Sequence, residues 1–441
     1  MGNSFHRRSM VTVIESSIVV PSVETPKHGL WVSNLDLLAP RAYTPTVYFY
    51  RPNGNPDFFV AKTLKNALSK ALVPFYPFAG RLGFDRDRRI EIKCNGEGAL
   101  FIEAEEESTI DEYGDFTPSL KMRESLVPRV DSGDGYPPCP LLLIQVTSFR
   151  CGGVCLGVGV HHTVSDGAAS LHFINAWSDI ARGLDAEVRP FLDRTILRAR
   201  KPPTILFDHA EYNLNPQTKP SSIDSKPFSS AIFTISREQL ALIKKKNNND
   251  DKELGTISYS TYETLAAHVW RCACKARGLN SSQETRVYIT ADARNRLRPP
   301  LPPGYLGNAI FTSSAVAVVG DVRGKPLGHA ASKIRQAIAR LDDEYLRSSL
   351  DFLELQDDLE CLRRGSGTFP STDLSIVCWT SLPIHEADFG YGRPVFMGPA
   401  SFFYGGLAYI MPNASKDGGI SLALSLESEH MRQFSKLFYE L

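Results

Sequence analysis

The segment from Cys155 to Gly167 constrains this chain more than any other. An apolar, strand-like run, Cys155-Leu156-Gly157-Val158-Gly159-Val160, leads directly into His161-His162-Thr163-Val164-Ser165-Asp166-Gly167. A short continuous apolar run bounded by a turn signal reads as a buried strand. Alternate residues of a strand share a face, so Val160 and His162 point one way and His161 the other. A histidine at the end of a buried strand, with a carboxylate four residues on and a glycine to turn the chain, displays and holds a general base. We read His162 as that base, with Asp166 fixing the turn or pairing with a cation. A zinc site needs three or four convergent ligands, and no third His or Cys lies at ligand spacing, so no metal is expected.

Composition excludes several partner classes. The 441 residues suffice for two domains of ordinary size, and 42% hydrophobic with 22% charged residues is the balance of a globular protein. The 49 basic and 49 acidic side chains cancel, which gives no electrostatic case for nucleic acid or an anionic membrane. Eight cysteines, at 94, 139, 151, 155, 272, 274, 361 and 378, form no C-x-x-C pair and read as reduced thiols of a cytoplasmic protein. No apolar stretch approaches the roughly 18 residues that span a bilayer. Residues Met1 to Ser9 lack the apolar core of a secretory signal; Met10 reads as a natural start and the nine residues before it as an extension.

Strands and helices alternate along the chain. Val47–Tyr50 and Leu141–Val146 carry the aliphatic and aromatic content of strands. Leu64, Leu68 and Leu72 set a helix over 61–72, ended by Pro74. Beyond the His162 turn, Leu171, Ile174, Trp177 and Ala181 recur at helical spacing until Gly183. Prolines at 190, 202, 203, 216, 220 and 227 mark a low-regularity stretch over 189–227, read as a crossover at 196–228 between an N-terminal domain at 10–195 and a C-terminal domain at 229–441. The run Lys244–Lys252 reads as a solvated loop. Tyr262–Ala276 and Ala331–Leu350 read as helices, the second with Ile334, Ile338, Leu341 and Tyr345 on one face.

Near the C-terminus, Asp388-Phe389-Gly390-Tyr391-Gly392-Arg393-Pro394 describes a tight loop whose shape matters more than its side-chain chemistry. Together, the His-x-x-x-Asp string and this loop resemble the two signature motifs of the BAHD family of plant acyl-CoA-dependent acyltransferases. The resemblance runs along essentially the whole chain. Within the family it points to the hydroxycinnamoyl-CoA shikimate/quinate hydroxycinnamoyltransferase branch, through Thr44–Pro52, Ala71–Pro77, Leu301–Asn308 and Leu382–Asp388. Tyr391 stands where the family's loop usually carries tryptophan, an aromatic exchange that preserves a structural role.

The resemblance implies an α/β (α+β) fold: two chloramphenicol-acetyltransferase-like domains, mixed sheets with flanking helices, and an active-site channel between them. Part of the C-terminal domain is expected to pair with the N-terminal sheet. His162 is then the catalytic base, and Asp166 pairs with an arginine, for which Arg294 is the candidate. Asp388, Gly390 and Gly392 give structural support. The family is monomeric and cytoplasmic, and its partners are a small-molecule acyl donor and acceptor. The acyl-CoA is a co-substrate, and no cofactor is implied.

The chemistry has plain requirements. A hydroxyl or amine loses a proton as it attacks the thioester carbonyl, and a histidine, with an ordinary pKa of about 6.5, takes it near neutral pH. By resemblance Thr46 and Tyr48 lie near the acyl group, and Ser260 and Thr261 meet coenzyme A or serve as plain helix-start hydroxyls. In the branch an arginine at an Arg-Gly-x-x-Thr-Phe stretch holds the acceptor carboxylate, and Arg364 matches it. Trp379 is the tryptophan expected near the acceptor. Val377 stands where the branch carries a hydroxyl residue, which removes a hydrogen bond to a polyol worth about 0.5–1.5 kcal/mol, and Ser381 stands where it often carries an arginine. The expected reaction transfers a p-coumaroyl or caffeoyl group to a carboxylated acceptor such as shikimate or quinate. N-acylation of tyramine, a polyamine or agmatine is the alternative, as is a hydroxyphenyllactate-type acceptor. Two further readings are a condensation domain acting on carrier-bound thioesters and a non-catalytic binding protein. The Asp388 loop opposes the first, and the intact His162 and Asp166 oppose the second.

Overall fold

A computed structural model describes residues 11–130, 139–185, 187–212, 227–249, 258–363, 369–413 and 418–440. In chain order the first elements are β1 (Val11–Val19), β2 (His28–Trp31), α1 (Asn34–Leu38), β3 (Tyr43–Tyr50), α2 (Ala61–Ala71), β4 (Arg81–Phe84), β5 (Ile90–Cys94) and β6 (Ala99–Glu106). There follow α3 (Leu120–Leu126), β7 (Leu142–Phe149), β8 (Val154–His161) and α4 (Gly167–Ala181). Next come β9 (Phe228–Ile235), α5 (Arg237–Asn249), α6 (Thr261–Ala276), β10 (Glu284–Asp292), β11 (Ile310–Val318), α7 (Val319–Gly324), α8 (Leu327–Ala339) and α9 (Asp343–Glu354). The chain closes with β12 (Leu374–Cys378), β13 (Phe396–Pro399), β14 (Leu407–Pro412), β15 (Ile420–Glu427) and α10 (Ser428–Tyr439).

These elements form two compact units. The first comprises 1–196 with 302–308 and 383–401, so two segments of the expected C-terminal domain belong to it; the second comprises 197–301, 309–382 and 402–441. Unit 1 holds a six-stranded mixed sheet in the order β1-β6-β7-β8-β3-β13 and a small sheet β2-β5-β4. The late strand β13 pairs antiparallel with β3, Met397 opposite Tyr48. The β8 strand lies inside the sheet between β7 and β3 and is buried along its whole length. That accounts for a run without polar alternation: both faces are covered. Gly157 on β8 marks a close approach, since a Cβ there would overlap the Leu126 carbonyl oxygen.

Unit 2 holds a second mixed sheet, β11-β10-β12-β14-β15-β9. Its core joins Trp270 and Leu265 of α6, Ile334 of α8 and Phe434 of α10 to Val287, Ile376 and Leu424 from the strands. Two expectations fail here. Residues 244–249 continue α5 instead of forming a loop, because Ile243 is buried in the core with Leu240 packed against it, and this anchor carries the polar turns that follow. The expected single helix over 331–350 is two helices, α8 and α9. Asp342 interrupts it by turning its carboxylate onto the Tyr345 amide and starting a new helix.

Candidate active site

The end of β8 and the turn that follows it place His162. The main chain leaves β8 at His161, whose ring meets Tyr43 edge-on at 5.3 Å. The His162 amide still donates to the Ala42 carbonyl at 3.0 Å, which holds the strand exit against the start of β3. The His162 side chain is half-buried. Its Nδ1 lies 3.2 Å from Oδ1 of Asn308. Asn308 Nδ2 donates back to the His162 carbonyl at 2.8 Å, so one amide side chain grips both ring and backbone.

Asp166 is buried and caps α4, its Oδ1 accepting from the Ala169 amide at 3.0 Å with extended backbone. Beside it, the Ser165 and Ser170 hydroxyls are 2.8 Å apart. The turn between His162 and Asp166 is thus tied to the first turn of a fifteen-residue helix. Farther along α4, Trp177 donates to the Leu64 carbonyl of α2 at 3.1 Å.

The Asp388 loop acts on the same helix. Asp388 Oδ1 accepts from the amides of Gly390 (2.8 Å) and Gly392 (3.2 Å), both with positive φ, which closes the loop on itself. Phe389, also at positive φ, is buried between Trp177, Tyr50 and Phe59, and its amide donates to Ser178 Oγ at 2.9 Å. Tyr391 stacks at a tilt on Phe59, 4.9 Å away, and its carbonyl accepts from Asn53. Through these contacts the loop packs as a strut under α4.

Behind Asn308 lies a part of the site that the sequence did not disclose. Asp36 of α1 accepts through Oδ1 from the Asn308 amide at 2.8 Å and from Asn308 Nδ2 at 2.9 Å. Its Oδ2 accepts from the Ser33 amide and hydroxyl, both at 2.8 Å, and faces Arg194 Nη1 at 3.2 Å. Both members of this ion pair are completely buried. Arg194 in turn donates to the carbonyls of Val164 (2.6 Å) and Thr163 (3.4 Å), the residues that follow His162. Ser33 three residues before Asp36 is a capping-box signal that would have marked α1. Arg194 carries no local signal at all.

The other expected site residues fall as follows. Thr46 and Tyr48 share one face of β3. Tyr43 lies opposite His161, so Thr46 is three positions along, roughly 10 Å at 3.3 Å per residue. Burial raises the Tyr48 phenol above its ordinary pKa, so it stays neutral. In unit 2, Ser260 caps α6 in a capping box with Glu263 and Thr261 is its first residue, so the helix-start role is filled. Val377 lies on β12 opposite Tyr409, and Trp379 packs on Tyr409 at 4.7 Å. Arg294 Nη1 is 3.2 Å from Asp292 Oδ1. Arg364 and the residues preceding Val11 lie outside the described residues.

Comparison with known proteins gives a consistent picture. The family model described as the Transferase family matches residues 9–441. The chain is 53% identical to shikimate O-hydroxycinnamoyltransferase of Nicotiana tabacum, over 98% of this chain and 99% of the relative. It is 47% identical to a hydroxycinnamoyl-CoA:5-hydroxyanthranilate N-hydroxycinnamoyltransferase of Avena sativa, over 98% and 100%. Among solved structures, vinorine synthase superposes with a TM-score of 0.73 at 20% identity over 96% of both chains, a likeness of fold.

Proposed function

The chain belongs to the BAHD transferase family, and from that premise we propose that it transfers a hydroxycinnamoyl group from coenzyme A to the hydroxyl of a carboxylated acceptor such as shikimate or quinate. His162 takes the proton from the attacking hydroxyl. The oxygen adds to the thioester carbonyl, and the tetrahedral intermediate collapses to ester and thiolate. The imidazolium returns its proton to the departing coenzyme A sulfur, which restores the base. The thiolate leaves readily, so no acyl-enzyme is needed, and acyl-CoA is a co-substrate alongside which no cofactor or metal is required. The observation that carries this reading is His162 itself, fixed through Asn308 at a strand exit in a chain alike over its full length to a shikimate acyltransferase.

In the same reading Asp166 and Arg294 pair, Arg364 takes the acceptor carboxylate, Val377 and Trp379 contact the acceptor, Thr46 and Tyr48 the acyl group, and Ser260 and Thr261 coenzyme A. Amine acceptors form the second reading, supported by the relative from Avena sativa, whose named acceptor bears both an amine and a carboxylate. A monomer in the cytoplasm belongs to the same reading, and eight free thiols suit a reducing compartment. Among the described residues no helix is long and apolar enough to cross a membrane.

Thiol release from p-coumaroyl-CoA with shikimate, quinate, hydroxyphenyllactate, tyramine and spermidine tests this, with His162→Ala as control. His162-dependent product with carboxylated hydroxyl acceptors, weakened by Arg364→Ala, is the expected result. Product with amines alone would overturn the acceptor, and no His162-dependent product from any pair would overturn the donor.

A further inference from the structure

We propose that the buried Asp36–Arg194 ion pair is the positioning device of His162, acting through Asn308 to hold the imidazole as the Nδ1–H tautomer and leave Nε2 bare as the proton acceptor. The inference rests on His162 being the base and concerns what makes it one.

The direction of every hydrogen bond follows from a single charge. The Asp36 carboxylate only accepts, so the group of Asn308 that faces it at 2.9 Å must be the amide nitrogen. Both hydrogens of that nitrogen are then spent, one on Asp36 and one on the His162 carbonyl at 2.8 Å. Asn308 therefore turns its carbonyl oxygen to His162 Nδ1. An amide oxygen cannot donate, so Nδ1 must carry the proton and Nε2 the lone pair. Without the carboxylate the two amide orientations come closer in energy. The flipped one would offer N–H to Nδ1 and place the proton on Nε2, where it silences the base.

Asp36 is itself tightly constrained. Oδ1 receives two donors from Asn308 and Oδ2 two from Ser33, with Arg194 alongside. Arg194 extends the hold by a second route, since it clamps the carbonyls of Thr163 and Val164 immediately after the base. The ion pair thus fixes the histidine ring from one side and the backbone that carries it from the other. A buried pair of this kind is weak evidence for stability by itself, and positional specificity is the role its geometry serves.

The test combines 15N-detected histidine tautomer spectra with kinetics, His162 being assigned by its loss in His162→Ala. The wild type should show Nδ1–H. Asp36→Asn should shift His162 toward Nε2–H and lower kcat by roughly a hundredfold with the KM for acyl-CoA nearly unchanged. Arg194→Lys should lower kcat less and leave the tautomer in place. Asn308→Ala keeps the ion pair and the Asn308 backbone donor. In that background Asp36→Asn should add little further loss, whereas a merely structural pair would multiply the two effects. An unchanged tautomer and kcat in Asp36→Asn, with His162→Ala inactive, would overturn the proposal while sparing the base. Activity in His162→Ala would overturn the base first. If Asp36→Asn does not fold, Asn308→Ala decides, and retention of a pure Nδ1–H form there refutes the chain at its first link.

Discussion

Phe389 offers a test in which two substitutions should fall in an unusual order. Its ring is 2% exposed and lies among Trp177 (4.8 Å), Phe59 (5.9 Å) and Tyr50 (6.4 Å), while its backbone sits at φ 55°. Phe389→Ala removes the ring from a packed aromatic cluster, and such truncations cost about 3–5 kcal/mol. Phe389→Gly removes the same ring and also the Cβ, whose clash in left-handed backbone costs roughly 1–2 kcal/mol. In ordinary structure glycine trails alanine by about 0.5–1 kcal/mol. Here the glycine variant should match the alanine variant or exceed it by up to about 1.5 kcal/mol. Urea unfolding followed by tryptophan fluorescence, with Trp177 reporting on the cluster, compares the two midpoints at a common slope. A glycine variant clearly weaker than alanine would refute the backbone argument. A cost for Phe389→Ala below about 1 kcal/mol would refute the loop's role as a strut. On the proposed supporting role of the loop, both variants should keep kcat per folded molecule.

Three further outcomes are expected. Arg194→Met strands the Asp36 carboxylate in the interior and should cost about 3–5 kcal/mol, read as a lowered thermal midpoint; a cost under about 1 kcal/mol would mean that water replaces the guanidinium. Gly157→Ala forces a methyl into the Leu126 carbonyl and should cost about 1–3 kcal/mol by urea midpoint, with no loss indicating that α3 moves away freely. Glu263 is a pH test: burial raises its pKa, but hydrogen bonds from Arg335 and Ser260 outweigh this and lower it overall. A carboxylate lowered in the folded state adds stability above its unfolded pKa of about 4.5 and loses it as pH falls through the folded value. Glu263→Gln should therefore trail the wild type by about 1 kcal/mol at pH 7 and 5, with the gap closing below pH 4.5, and a gap that persists at pH 3 would contradict the assignment.

What the sequence disclosed and what it hid follow one physical division. The local settings of His162, Asp166 and the Asp388 loop were legible because each is built within a few residues: a strand exit, a helix cap at Ala169, a carboxylate closing onto Gly390 and Gly392. The helix α4 announced itself by Leu171, Ile174 and Trp177, all buried as their spacing required. Periodicity failed where one local interaction outvoted it, as at Asp342, or where a single buried residue such as Ile243 carried a polar tail into a helix. Asn308 lies 146 residues from His162, and it lies 272 residues from Asp36. No window holds these partners together: the capping box of Ser33 and Asp36 marks a helix start but not the link to Asn308, and Arg194 carries no local signal. Yet the direction in which Asn308 points, and with it the nitrogen that bears the proton on His162, is set by that distant carboxylate. His162, which we propose as the base, was readable locally, whereas the contacts that hold its ring were written into the fold.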